Sequence, residues 1–144
     1  MKIKYIDYSE RFLWKGCILT YGHFNTIHPG HIRYLRHARS LGKQLVVGLI
    51  GDEGEANYPF NQQERAEALS LLGIADAILI LNDGQLDKAI VELTPKVLVL
   101  GNEYKDKQAI QSTLKKQRKQ GGTVQFHAGD IHYATADLLS GSER

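Results

Sequence analysis

The sequence is poor in several residue types, and each shortage excludes a class of protein. Only one of its 144 residues is cysteine, Cys17, so an internal disulfide is impossible and a reducing, cytoplasmic setting is expected. Three prolines and no low-complexity segment argue against a long linker. No apolar run approaches the length of a membrane span, and the first residues lack a secretion-signal core, so no membrane partner is expected.

Charge is also nearly balanced, with 18 basic and 16 acidic side chains and a formal net charge of +2. A surplus this small does not indicate a nucleic-acid partner. The remaining composition, 42% apolar and 24% charged, is that of an ordinary globular domain. A chain of this length can bury about two thirds of its unfolded surface in one core.

Short apolar runs alternate with helical patterns, which predicts parallel strands joined by crossover helices. We therefore expect a single-domain α/β fold, a Rossmann-like, doubly wound, parallel five-stranded sheet. Predicted strands cover residues 16–21, 45–50, 77–81, 96–100 and 123–127. Predicted helices cover residues 30–41, 62–72, 84–93 and 106–119, and a short one begins near Thr135.

Residues 1–15 precede the first predicted strand and form an aromatic N-terminal arm, while residues 16–144 form the domain proper. The arm either packs on its own domain, the interpretation we favour, or forms a dimer contact. The end of the chain at Arg144 is compatible with a natural end and with one domain of a longer polypeptide.

The most informative segment lies between the first predicted strand and the helix after it. It reads Tyr-Gly-His-Phe-Asn-Thr-Ile-His-Pro-Gly-His over residues 21–31. Backbone N–H groups at a helix start attract anions, and Gly30 allows a ligand close to the main chain. His28 and His31 add imidazole donors at the same end of the helix. The segment therefore predicts a phosphate site suited to a nucleoside triphosphate.

His23 lies in the same segment, and three histidines raise the alternative of a catalytic zinc site. Nothing in their spacing demands a metal ion. We therefore expect no protein-bound metal and retain the phosphate interpretation.

Four segments, in order, resemble the cytidylyltransferase-like nucleotidyltransferases. The first is Gly22-x-Phe24-x-x-x-His28-x-Gly30-His31, which resembles the family signature. The others resemble its arginine-bearing segment, its fourth strand with a base-recognition turn, and its closing hydroxyl-bearing helix start. In this sequence they are residues 62–65, 97–104 and 134–139.

The resemblance implies transfer of a CMP or AMP group from CTP or ATP to a sugar or polyol phosphate, with Mg²⁺ as cofactor and pyrophosphate as product. It implies a homodimer and no nucleic-acid partner. The catalytic residues would be His28, His31 and Arg65, whose guanidinium fork matches phosphate oxygens. The nucleotide-binding residues would be Gly22, His23, Phe24, Gly30, Gly101, Glu103, Tyr104 and Thr135.

The sequence also departs from the family pattern. Asn25 replaces an aspartate, and Ala134 and Ala136 replace hydroxyl residues around Thr135. The usual lysine after the second strand is missing from the stretch that ends at Asn57, where the acidic side chains of Asp52, Glu53 and Glu55 would instead repel a triphosphate. These departures support an alternative hypothesis, a weakly active or inactive nucleotide-binding module of a larger biosynthetic protein.

Overall fold

In this computed structural model, parallel strands form a sheet that helices cover on both faces. The structure describes residues 4–25, 27–52, 60–82 and 84–127. The strands are β1 Lys4–Tyr5, β2 Ile18–Gly22, β3 Leu45–Ile50, β4 Ala77–Leu81, β5 Val97–Gly101 and β6 Thr123–His127. The α-helices are α1 Arg11–Trp14, α2 Pro29–Ser40, α3 Gln62–Leu72, α4 Gln85–Leu93 and α5 Gln111–Lys119. Short 3₁₀ helices cover Tyr8–Glu10, Asn102–Tyr104 and Gln108–Ile110.

The strand order is β1-β4-β3-β2-β5-β6, with every pair parallel. From β2 the chain moves outward through β3 to β4, then returns to β5 on the other side of β2. The doubly wound α/β fold is therefore confirmed. In such sheets ligands bind beyond the carboxyl ends of the strands where the direction of winding reverses, which here is between β2 and β5.

The expected five strands are all present, but the sheet has a sixth. Lys4 and Tyr5 pair with Ala77 and Ile78 and extend the edge beside β4. The prediction of five was wrong because a two-residue strand shows no alternating pattern, and its pairing depends on residues more than 70 positions away.

Two apolar cores, one on each face, hold the helices against the sheet. On one face α2 and α3 pack on the strands through Leu35, Ala38, Ala66 and Leu69. On the other face α4 and α5 pack through Leu86, Ile90, Leu93 and Leu114. The strand residues beneath them are almost fully buried, as expected for a parallel sheet covered on both faces.

The N-terminal arm contributes to this second core. Ile6 and Trp14 are buried there, while Phe12 and Leu13 are 73% and 58% exposed. The lone thiol, Cys17, is also buried, and burial raises its pKa to about 12. The thiol therefore stays protonated at neutral pH.

Helix boundaries follow local capping signals. Asn61 and Glu64 form a capping box at the start of α3, and Gly73 ends that helix with a φ of 68°. The helix predicted over residues 106–119 starts later, since residues 108–110 form a 3₁₀ turn first. The helix predicted near Thr135 lies outside the described residues.

Candidate active site

The candidate site opens where the pairing of β2 with β5 ends, at Thr20 and Val99. Just beyond, the Tyr34 hydroxyl lies between the two strands. It donates to the Val99 carbonyl at 2.5 Å and accepts from the Tyr21 N–H at 3.5 Å. The ring belongs to α2 and is buried, and burial raises the pKa of its hydroxyl. One side chain thus ties α2 to both strands at the crevice.

The two histidines of the motif cap the start of α2. His28 occupies the N-cap, and its Nδ1 accepts from the Gly30 N–H at 3.0 Å. His31 reaches back so that its Nδ1 accepts from the His28 N–H at 3.3 Å. Pro29 takes the first helical position, where no N–H is needed. This is a capping box built from two imidazoles.

The capping bonds fix which nitrogen of each ring carries the proton. Because both Nδ1 atoms accept from backbone N–H groups, a neutral ring bears its proton on Nε2. The rings of His28 and His31 stack with centroids 3.9 Å apart. The helix start therefore presents two oriented imidazole N–H donors beside its own backbone N–H groups, an arrangement suited to phosphate oxygens.

Phe24 packs against the His31 ring and so supports the histidine pair. Its backbone adopts a left-handed φ of 52°, which costs energy for a residue other than glycine. The buried ring stacks on Tyr34 with centroids 6.3 Å apart and meets the His31 ring at 5.5 Å. Gly22 lies against the same ring, since a Cβ there would be 3.2 Å from Phe24 Cε2. The strained turn therefore orients His31.

Arg65 lies beside this loop, and its side chain is fully buried. The guanidinium donates to the carbonyl oxygens of His23, Ile50 and Phe60 at 2.7, 2.7 and 3.0 Å. It also donates to Asp52 Oδ1 at 2.6 Å. Its sequence position was predicted to bind phosphate; in the structure it binds four protein acceptors next to the candidate site.

Asp52 begins the acidic stretch that was expected to repel a triphosphate. Its carboxylate accepts from the Gln62 N–H at 2.8 Å as well as from Arg65. These two contacts, the backbone one foremost, hold the pKa of Asp52 below its usual range. Its negative charge is therefore compensated by the arginine. Residues 53–59, which include Asn57, lie outside the described part of the chain.

The predicted base-recognition turn lies across the crevice at the end of β5. Gly101 ends the strand, and the exposed Glu103 folds its carboxylate over it, since a Cβ on Gly101 would lie 2.1 Å from Glu103 Oε1. Tyr104 is buried, and its ring meets that of Tyr21 with centroids 5.8 Å apart. The structure therefore brings Gly101 and Glu103 to the same edge of the sheet as Gly22 and the histidines.

A cavity of about 440 Å³ adjoins this edge on the α4–α5 side of the sheet. Tyr21, His23, Ile50 and Tyr104 line it where it meets the ends of the strands. Its other polar lining residues come from α4, α5 and the turn before α5, and they are Asp87, Lys107, Ser112 and Thr113.

The polar groups of this cavity are organised by hydrogen bonds and a ring contact. Asp87 accepts from the Thr113 hydroxyl, and Lys107 Nζ lies 4.9 Å from the Tyr104 ring centroid. No sequence motif indicated Asp87, Lys107 or the bridging role of Tyr34, because these side chains meet only through the tertiary fold.

Thr135, Ala134 and Ala136 lie outside the described residues, so the predicted phosphate contact of Thr135 stays a prediction. Within the described ranges, no three or more His, Cys, Asp or Glu side chains cluster closely enough to hold a metal ion. The same part of the chain contains no helix with the length and apolar character needed to cross a membrane.

A family model described as cytidylyltransferase-like matches residues 19–140. The chain belongs to this family. Bifunctional protein HldE of Campylobacter concisus is 37% identical over 126 residues, covering 81% of this chain and 27% of that protein. Bifunctional protein HldE of Helicobacter pylori is 31% identical over 133 residues, covering 88% of this chain and again 27% of the relative. The chain thus spans about a quarter of the length of these curated relatives.

Solved structures show the same fold. A lipopolysaccharide core biosynthesis protein from Thermoplasma volcanium is 29% identical with a TM-score of 0.61, covering 75% of this chain and 90% of that one. Pantothenate synthetase from Thermus thermophilus covers 89% of this chain and 61% of its own at a TM-score of 0.55. At 14% identity, the second likeness concerns the fold alone.

Proposed function

We propose that this domain is a nucleotidyltransferase that transfers a CMP or AMP group from CTP or ATP to a sugar or polyol phosphate. The observation that carries the proposal is the imidazole pair at the start of α2, with both Nδ1 atoms occupied by backbone N–H groups. Family membership and the HldE relatives support the same reaction class.

In the proposed reaction, an oxygen of the acceptor phosphate attacks the α-phosphorus of the nucleotide. A new P–O bond forms there, the bond to the α,β-bridging oxygen breaks, and pyrophosphate leaves with the electron pair. The nucleophile is already an anion, so no general base is required. His28 and His31 donate from Nε2 to the bridging and β-phosphate oxygens, where negative charge accumulates.

The nucleotide would occupy the crevice between β2 and β5. Gly22, Gly30 and the backbone of His23 and Phe24 allow phosphates close to the main chain. Glu103, at the end of β5, would accept from the exocyclic amino group of the base, which cytosine and adenine both carry. Thr135 would add a hydroxyl contact to the β- or γ-phosphate.

The 440 Å³ cavity is the proposed acceptor site. It adjoins the crevice through Tyr21 and His23, so an acceptor held there would reach the α-phosphorus across the end of β2. Lys107 suits the phosphate, and Asp87 and Ser112 suit hydroxyl groups. The similarity to a lipopolysaccharide core biosynthesis protein supports a sugar-phosphate acceptor.

Mg²⁺ is proposed to enter with the nucleotide. Mg²⁺ commonly retains waters and binds substrate phosphates rather than a dedicated protein cage, which fits a described site without a metal-ligand cluster. When bound, the ion neutralises charge on the phosphate oxygens. The protein's own contribution is to orient those oxygens toward the α2 donors.

A homodimer is part of the proposal. Phe12 and Leu13 on α1 and Val91 on α4 are exposed apolar side chains on the same face of the sheet. Large exposed apolar groups are enriched at interfaces. Light scattering coupled to size exclusion would give the mass, and Leu13→Glu should shift a dimer toward monomer.

The test is pyrophosphate release with CTP or ATP, Mg²⁺ and a panel of sugar and polyol phosphates. His31→Ala should lower kcat by roughly 10²–10³, the usual loss for one transition-state donor. His37→Asn is the matched control, because His37 lies on the same helix and contacts Gln125 instead. Nucleotide binding without turnover across the panel would support the inactive-module alternative, and equal rates for His31→Ala and wild type would overturn the mechanism.

A further inference from the structure

The guanidinium of Arg65 is surrounded by protein acceptors. Its side chain has no solvent exposure, although it begins on a surface helix. A buried guanidinium is stable only when its donors have acceptors, and three carbonyls and one carboxylate accept from four of its five N–H groups here.

These acceptors come from separate segments that meet at the carboxyl edge of the sheet. His23 belongs to the loop after β2, Ile50 ends β3, and Phe60 precedes α3. The rigid, planar guanidinium of Arg65 therefore fixes the three segments relative to one another. Because the side chain is fully buried, a phosphate oxygen could reach this guanidinium only if the segments around it moved apart.

Asp52 orients the fork from its other side. Its Oδ1 accepts from Arg65 Nη2 at 2.6 Å, and its Oδ2 accepts from the Gln62 N–H at 2.8 Å. The Asp52 N–H in turn donates to Gln62 Oε1 at 3.1 Å. The carboxylate thus joins the guanidinium to the start of α3, and each group restricts the other.

We propose that Arg65 is a positioning residue and not a phosphate ligand. Through the His23 carbonyl, Arg65 fixes the turn at His23 and Phe24, whose ring contacts that of His31, and Asp52 holds the guanidinium in place. The catalytic consequence rests on the proposed function, since it assumes that the imidazoles act on phosphate. The structural consequence, a loop held by Arg65 without any ligand, does not.

The experiment measures backbone amide exchange over residues 22–31 in the ligand-free protein. Asp52→Asn and Arg65→Lys should both speed exchange there by about tenfold, because a charge-assisted hydrogen bond to the fork is weakened or lost. Arg36→Lys, at an exposed position on α2, is the control and should leave exchange unchanged. Unchanged exchange in both test variants would overturn the proposal.

The kinetics of Asp52→Asn distinguish a phosphate-binding Arg65 from a positioning Arg65, because the two roles predict opposite effects. If Arg65 contacted phosphate, Asp52→Asn would remove a nearby negative charge and strengthen nucleotide binding. As a positioning pair, Asp52→Asn should lower kcat by about tenfold and change the nucleotide KM less than threefold. Tighter nucleotide binding with undiminished kcat would overturn the proposal.

The exchange measurement can test the role of Arg65 even if an Arg65 variant fails to fold or the protein has no transferase activity. Asp52 is partly exposed, so Asp52→Asn should fold even where an Arg65 variant does not. If wild-type protein transfers no nucleotide to any acceptor, the proposed function fails, while the exchange measurement still reports on Arg65. The double variant should be less than additive in exchange, because both changes break the same contact.

Discussion

The Tyr34 hydroxyl donates to the Val99 carbonyl at 2.5 Å, at the point where β2 and β5 separate. The same oxygen accepts from the Tyr21 N–H, so the phenol bridges the two strands where they begin to separate. The Tyr21 N–H and the Val99 carbonyl, which border the crevice proposed for the nucleotide, are therefore both hydrogen-bonded. The side chain that satisfies them belongs to the helix that carries both histidines.

Tyr34→Phe should lower the free energy of unfolding by about 1–3 kcal/mol, because it leaves a buried carbonyl without its donor. Urea denaturation followed by circular dichroism would measure this. Tyr8→Phe is the control, since the buried Tyr8 hydroxyl has no hydrogen-bond partner among the residues that the structure describes, and it should change stability by less than about 0.5 kcal/mol. Equal losses in the two variants would show that the bridge contributes nothing.

Protonation of Asp52 should lower the stability of the fold at acidic pH. Its contacts lower its folded pKa below its unfolded value, so it stabilises the fold above that unfolded value, about 3.9. This contribution is lost as pH falls through the folded pKa. The difference in melting temperature between wild type and Asp52→Asn should be constant above about pH 5 and shrink below about pH 4. A difference that grows on acidification would contradict the assignment.

The sequence predicted the strand, the turn and the helix start that present the two histidines, because the signals for these elements are local. A strand followed by glycines, histidines and a helix start is contiguous in the chain, and the capping bonds of His28 span only two and three residues. β3, α3, β4 and β6 fall on their predicted residues for the same reason. Alternation and capping are encoded within one element.

Contacts between distant segments could not be predicted in this way. Arg65 was singled out by its motif, but its His23 acceptor is 42 positions away and its environment depends on how β3 and α3 meet. Asp52 was interpreted as a repulsive charge because its partner was unknown. Tyr34 belongs to no sequence motif, and its acceptor on Val99 is 65 positions away.

Cys17 should be unreactive in the folded protein. Its thiol is buried at 1% exposure and its pKa is raised to about 12, so the thiolate is scarce at neutral pH. A colorimetric disulfide reagent at pH 8 should label it only as fast as the protein unfolds, and completely in denaturant. Rapid labelling of the native protein would mean that the core around β2 opens locally.

Lys107 should determine affinity for the acceptor and not for the nucleotide. Among the described residues that line the 440 Å³ cavity it is the only lysine or arginine, and its ammonium group lies over the Tyr104 ring. Lys107→Gln removes the charge that is proposed to pair with the acceptor phosphate, so the acceptor KM should rise about tenfold. Lys115→Gln, an exposed charge on α5 outside the cavity lining, corrects for the change in net charge. Steady-state pyrophosphate release with each substrate varied in turn separates the two affinities. If Lys107→Gln instead raises the nucleotide KM, the triphosphate extends into this cavity and the acceptor approaches from the other side of β2.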